Sequence, residues 1–233
     1  MKNSFMVESL TKKIGGEIII SNNPGKALKK WRELMKIPQK DLADYLGISS
    51  SVISDYESGR RKSPGIKMIQ KIINAMIELE MQRGGKIINQ FLRESGSIVN
   101  VILDIREFIE PISIEKILKV TNSKLIIGNK SRKIYGYTII DSLKAIVNYP
   151  PSELVKLYGT TTERVMIFTK VSSGRSPMVA IKVAGLKPPL VILHGTNKVD
   201  ELAKKIAEVE GITLAVSHEL NVESLILKLR KLI

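Results

Sequence analysis

Between Gly47 and Pro64 the chain reads GISSSVISDYESGRRKSP, and the side chains gathered there suit hydrogen bonding to a polyanion. The hydroxyls of Ser50 and Ser51 can donate or accept, whereas ionised Asp55 only accepts. Two partners fit Asp55: the amino group of cytosine in a major groove, or an intramolecular cation such as Arg60 or Arg61. Arg60, Arg61 and Lys62 then set three cations in a row, able to neutralise phosphates regardless of base sequence and in a salt-sensitive way. Upstream, Gln39 falls at the expected start of a helix, where its amide and the helix dipole together suit a phosphate.

A second group of polar residues lies far along the chain. His194 and His218, the only two histidines, each follow a strongly apolar run, and Thr196 and Asn197 come one glycine after the first of them. The loop VSSGRSP contributes Ser173 and Arg175, and GTTTER contributes hydroxyls and Arg164. Together these types would make a site for a small anionic effector, the alternative being ordinary turns rich in Ser, Thr and Gly. No Walker lysine motif, GxGxxG fingerprint, GxSxG elbow, HExxH pair or paired carboxylate motif accompanies them, so no catalytic set emerges.

The elements that must position the first group can be read from apolar spacing. Ala27, Leu28, Trp31, Leu34 and Met35 recur on one helical face behind NNPG, whose Asn and Gly suit a cap or turn. Pro38 opens a second helix with Leu42, Ala43 and Leu46 inward, and Gly47 supplies a left-handed stop. Ser49 is placed to cap a third helix carrying Val52, Ile53 and Tyr56, which Gly59 ends. Ala43 and Gly47 are expected to be small because the two helices approach there. Two short helices across a glycine turn are the sequence form of a helix-turn-helix. Ile66, Ile69, Ile72, Ile73, Met76 and Ile77 continue a helical face up to the RGG at 83–85.

The segment QKDLADYLGISSSVISDYESGRRKSP resembles the lambda-repressor-like helix-turn-helix family, also called the xenobiotic-response-element family of transcription regulators. The likeness covers residues 25 to about 80 and rests on Gln39, Ala43, Gly47, Ile53, Ser54, Glu57, Gly59 and Arg60 at fixed offsets. It implies a bundle of four or five helices, a homodimer on double-stranded DNA, and the helix at about 49–58 in the major groove. It also implies a structural ion pair between Arg32 and Glu57, and DNA-facing positions at Gln39, Ser49, Ser50, Ser51, Ser54, Asp55, Arg60, Arg61 and Lys62. Because Ser50, Ser51 and Asp55 are short, direct readout should be modest, with some reliance on DNA shape.

Residues 86–94 and 97–110 keep helical periodicity, the latter through Ile98, Val101, Ile102, Ile105, Phe108 and Ile109, and read as a helical connector over 84–110 that either packs in the core or pairs with a second subunit. From residue 111 onwards the chain changes class. Apolar runs such as KLIIG, KIYGYTII, RVMIFTKV, PMVAIKV and PLVILHG read as strands, and the tail from LVILHG through TNKVDELAKKIAEVEG and ITLAVS to VESLILKLRKLI is a βαβα unit with parallel strands. Thr196, Asn197 and Asn221 are placed to cap its helices. The expected architecture is α+β or α/β multidomain: a 1–24 N-terminal extension, an all-α helix-turn-helix bundle over 25–83, the connector, and an α/β regulatory or dimerisation domain over 111–233.

The 233 residues allow two domains, each with its own core. A formal net charge of +14 favours a polyanionic partner, nucleic acid rather than membrane, although an isoleucine- and lysine-rich chain also suits a thermophile's solvated surface. Residues 26–71 hold eleven Lys or Arg against five Asp or Glu, so the excess is concentrated around the helix-turn-helix. With no cysteine and two histidines, neither disulfides nor a metal centre is expected, and no cofactor is implied. No apolar run reaches membrane-spanning length and the N-terminal residues carry no secretory pattern, so a cytoplasmic archaeal regulator is the expectation. Two alternatives stay open: a basal transcription bridging factor without its own operator, and a bifunctional regulator with an enzymatic C-terminal domain.

Overall fold

The computed structural model describes residues 4–62, 64–94, 101–148 and 151–233. The chain divides into two compact units, Met1–Gly96 and Ser97–Ile233. No helix among the described residues is long and apolar enough to cross a membrane.

The first unit is all helical. Helix α1 (Ser4–Ile20) lies where sequence reading placed an extension, and its Leu10, Ile14 and Ile18, one turn apart, are sealed into the core. Helix α2 (Pro24–Leu34) starts with Asn23, whose side chain accepts from the Lys26 backbone N–H at 3.1 Å. Helices α3 (Gln39–Leu46) and α4 (Ser50–Ser58) end on Gly47 and Gly59 at φ +67° and +79°, a backbone region that disfavours any residue with a Cβ. Helix α5 (Ile66–Gln82) buries Ile72, Ile73 and Met76, while Ile66 points to solvent. Helix α6 (Lys86–Glu94) adds Ile88 to the same core.

The second unit runs β1 (Ile102–Ser113), α7 (Ile114–Val120), β2 (Ser123–Ile127), β3 (Lys133–Asp141), α8 (Ser142–Asn148), a 3-10 turn (Pro151–Tyr158), β4 (Arg164–Thr169), α9 (Arg175–Val183), β5 (Leu190–His194), α10 (Glu201–Glu210), β6 (Thr213–Ser217) and α11 (Val222–Arg230). Its sheet has the order β1-β3-β4-β5-β6-β2. The central four strands are parallel and follow chain order, while β1 and β2 run antiparallel along the edges. Right-handed crossovers between successive parallel strands place α8, α9 and α10 on one face. The other face carries α7 and α11, whose Ile114, Ile117, Leu225 and Leu229 pack with Ile139, Ile167 and Ile192 of the strands. Burial on both faces explains why β4, β5 and β6 read as unbroken apolar runs.

Three segments differ from the sequence reading. Residues 102–110 of the presumed helical connector belong to β1, whereas α6 belongs to the first unit; Ile98 lies outside the described residues. Pro111 is tolerated within β1 because this is an edge strand whose pairing with β3 is interrupted between Glu107 and Ile112, where the missing N–H costs nothing. PMVAIKV is part of α9, its apolar residues being those of a helix packed beside the sheet. The helix in TNKVDELAKKIAEVEG begins at Glu201, capped by Asp200 with Oδ1 2.9 Å from the Leu202 N–H, so Thr196 and Asn197 precede it; Asn221 does cap α11.

Two buried polar pins hold the second unit. Asp104, fully buried on β1, accepts the Tyr137 hydroxyl at 2.7 Å and the Arg230 guanidinium at 2.9 Å from Nε and 2.8 Å from the terminal nitrogen, tying the end of α11 to the sheet. Burial, with Asp104 alongside, pushes the Tyr137 hydroxyl far above the usual tyrosine range. Arg164, also fully buried, donates to the carbonyls of Thr161 and Tyr137, to the Thr138 hydroxyl and to Glu107, and is therefore a scaffold residue rather than an anion ligand. Asp104→Ala removes the carboxylate shared by Tyr137 and Arg230 and should cost about 3 kcal/mol, at the lower end for a broken buried pair because Arg230 keeps some access to water. Urea unfolding followed by far-UV circular dichroism measures it, and Tyr137→Phe should cost about 1 kcal/mol.

Candidate nucleic-acid interface

An ion pair inside the helical unit fixes the orientation of α4. Arg32 on α2 and Glu57 on α4 are both buried, and the guanidinium meets the carboxylate in a fork, Nε to Oε1 at 2.6 Å and the terminal nitrogen to Oε2 at 2.9 Å. The remaining guanidinium nitrogen donates to the Ile37 carbonyl at 2.7 Å. The hydrogen bond to Glu57 raises the Arg32 pKa further, so the charge is permanent. Gln39 completes the knot, its amide nitrogen 2.7 Å from Glu57 Oε2. That contact commits one N–H of the Gln39 amide to the scaffold and leaves the second N–H and the α3 N-terminus for a phosphate, a narrower role than sequence spacing suggested.

The small residue at the helix approach is Gly25, not Gly47. A Cβ on Gly25 would lie 2.2 Å from the Tyr56 carbonyl oxygen and 2.9 Å from that of Glu57, so the start of α2 is pressed against the end of α4 backbone to backbone. Nothing lies within 4 Å of a Cβ at Gly47, where the left-handed φ is the whole requirement. In NNPG the Asn and Gly suit a cap or turn, and nothing in the local pattern distinguishes Gly25 from a turn residue. Two braces from α3 to α5 were equally silent in sequence, Arg83 on Asp41 and Tyr45 on Glu78, because their partners are 42 and 33 residues apart.

With its inner side held, α4 presents a short polar face. Ser50 and Ser51 are exposed, and Ser54 and Asp55 are half-buried next to them. Ser49 is not a side-chain cap here; its hydroxyl lies 2.7 Å from that of Ser51. Asp55 takes the intramolecular alternative, with Oδ1 2.8 Å from the Arg60 guanidinium, and its backbone carbonyl accepts the Arg61 N–H at 3.1 Å. The Arg61 guanidinium lies 5.7 Å from the centre of the Tyr56 ring, a cation–π distance that holds an exposed cation beside the helix end. Lys62 is exposed and follows directly. The lysines of α2 face outward, Lys30 paired with Glu17 and Lys29 3.8 Å from Glu33.

The residues proposed from sequence for an effector lie along the carboxyl edge of the parallel strands, several of them with partners inside the fold. His194 Nε2 is 3.1 Å from the Glu219 carbonyl, and its buried Nδ1 has no hydrogen-bond partner. The Thr196 hydroxyl sits between the carbonyls of Ser172 and Lys198 at 2.7 and 2.8 Å. Asn197 and His218 are exposed, and Ser173 gives its carbonyl to the Asp200 N–H. Arg175, at the start of α9, is exposed with Nε 3.9 Å from Asp200.

Known proteins resemble this chain in both parts. A helix-turn-helix family model matches residues 28–77. A protein of Methanocaldococcus jannaschii named as an HTH-type transcriptional regulator is 44% identical over 222 residues, spanning 93% of this chain and 92% of its own length. One of Archaeoglobus fulgidus with the same kind of name is 44% identical over 225 residues, 96% of this chain and 97% of that protein. No solved structure matches. Both alignments run well past the helix-turn-helix, so the second unit is shared as well.

The buried fork sets a clear expectation. Glu57→Ala leaves the buried Arg32 charge without its forked carboxylate and should cost about 3–5 kcal/mol, whereas adding Arg32→Met to it should recover a large part of that loss. A double-mutant cycle on chemical denaturation midpoints measures both.

Proposed function

The chain belongs to the family of archaeal HTH-type transcriptional regulators, and on that premise we propose that it is a DNA-binding regulator whose α4 enters the major groove of its operator. The observation that carries the reading is the exposed Ser50 and Ser51 on a helix whose opposite side is locked by the Arg32–Glu57 fork, with Arg60, Arg61 and Lys62 at its end. The serines meet base edges, while Arg61 and Lys62 meet phosphates. Arg60, tied to Asp55, contributes to the phosphate path only when that pair opens. The regulator acts as a homodimer on a two-fold operator, and its second unit responds to a small effector.

Selection of bound sequences from random duplex DNA tests this reading, and a palindrome with half-sites about one helical turn apart is the expected result. Recovery of no motif would overturn it in favour of a bridging factor. Ser50→Ala with Ser51→Ala should flatten base preference at the positions they face while leaving salt-dependent binding in place. Asp55→Asn releases Arg60, so nonspecific binding should strengthen and its log K against log salt slope should steepen by about 0.9. If Asp55 instead reads a cytosine, the same variant loses that base from the selected motif.

A further inference from the structure

On the helix-covered face of the second unit a cleft of about 440 Å³ opens between α8 and α9, with Phe168 of β4 at its base. Such a volume lies in the range of small-molecule sites, about 300–1,000 Å³. Its two ends differ in chemistry because of the topology. Ser142 directly follows β3, and Arg175 and Ser176 open α9 after β4, so all three stand at the carboxyl edge of the sheet. Farther down the same two helices the walls are Ala145 and Ile146 on one side and Val179, Ala180 and Val183 on the other.

The polar end is built for an acceptor. Helix α9 has Gly174 as its N-cap, with φ +79° and no side chain capping it, so the first-turn N–H groups of Arg175 and Ser176, residues that line the cleft, have no side-chain acceptor there. A side chain at position 174 would collide with Leu193, its Cβ 2.2 Å from Leu193 Cδ1, so the bare start of the helix is enforced by packing. The Ser142 hydroxyl, on a residue only 4% exposed, lines the cleft and has no hydrogen-bond partner. A buried hydroxyl without a partner is costly, and a bound acceptor would satisfy it. Arg175 is engaged only loosely, Asp200 being 3.9 Å away and already capping α10. Lys170 is committed to Asp141 at 2.7 Å. At the other end Ile146, Val179 and Val183 remain exposed with nothing charged between them.

We propose that this cleft binds a monocarboxylate with an apolar body, the carboxylate received by Arg175, the α9 N-terminus and the Ser142 hydroxyl, and the body lying between Ile146, Phe168, Val179 and Val183. The assignment deepens the effector role proposed above by naming its site and ligand class. His194, Thr196 and His218 take no part in it.

Isothermal titration of the full chain, without DNA, with octanoate, 1-octanol and inorganic phosphate is the test. Octanoate should bind saturably, 1-octanol at least about tenfold more weakly and phosphate not measurably, since both ends of the cleft contribute. Arg175→Gln should weaken octanoate by about ten- to a hundredfold, the equivalent of a charge-assisted hydrogen bond. Ala180→Trp should abolish binding by filling the groove. Val183→Glu, at a position already 68% exposed, should do so by charge without threatening the fold. Equal binding of octanol and octanoate, indifference to Arg175→Gln, or phosphate binding as tight as octanoate overturns the proposal. So does a wild-type chain that binds no octanoate and whose Val183→Glu variant sediments as a smaller species, which would make this face a contact between copies. With no DNA in the cell, a failed titration and a failed operator selection are separate results.

Discussion

A buried charge pair governs the geometry of the helical unit. Removed from water, Arg32 and Glu57 each need the other, and the fork that joins them has two parallel hydrogen bonds and so defines an angle as well as a distance. That angle is the orientation of α4 against α2. Gly25 sets the same relation from the backbone side, since the chain there comes close enough that a methyl group cannot fit. Charge pairing from one direction and steric contact from the other leave α4 little freedom to roll, and the base reading proposed for its short serines requires that it does not roll. A reading face made of side chains with one or two rotatable bonds cannot reach out to correct a misplaced helix.

The second unit uses the same device for a different end. Strands β4, β5 and β6 are largely apolar, and apolar packing by itself has little direction beyond the ladder. Asp104 and Arg164 supply direction, the first joining the chain's last helix to β1 and the second joining the start of β4 to β1 and β3. In both units, then, apolar burial provides most of the cohesion, and a buried ionic cluster specifies which of several packings is adopted.

How much of this was legible in the sequence follows from the range of the interactions concerned. Helices α2 to α4 could be read because their caps, stops and apolar spacing are local, and because Arg32 and Glu57 stand at offsets a known family repeats. Strand β1 could not: Ile102, Ile105, Phe108 and Ile109 fit a helical period as well as a bulged strand, and only pairing with residues 133–141 decides between them. Segment 175–183 failed for the converse reason, since a helix resting on a sheet has a run of β-branched and small residues that looks like a strand when read alone. The sequence grouped His194 and His218 with Ser173, Arg175, Thr196 and Asn197 because all follow strand ends. His194 lies against a loop carbonyl, Arg175 lines a cleft, and Ser142 beside it could not be read because it stands 33 residues earlier with a strand between them.

The edges of the sheet bear on how copies of this chain can associate. Both outer strands are flawed as templates: β1 contains Pro111 and loses register between Glu107 and Ile112, and β2 is five residues long and slips between Leu125 and Ile127. An incoming strand would find no continuous row of main-chain donors and acceptors on either side. Growth of the sheet from one molecule to the next is thereby blocked at its source, which protects a protein rich in isoleucine and valine from polymerising through its most apolar layer. That favours assembly through side chains on helices or loops, where a single substitution can tune or dissolve a contact.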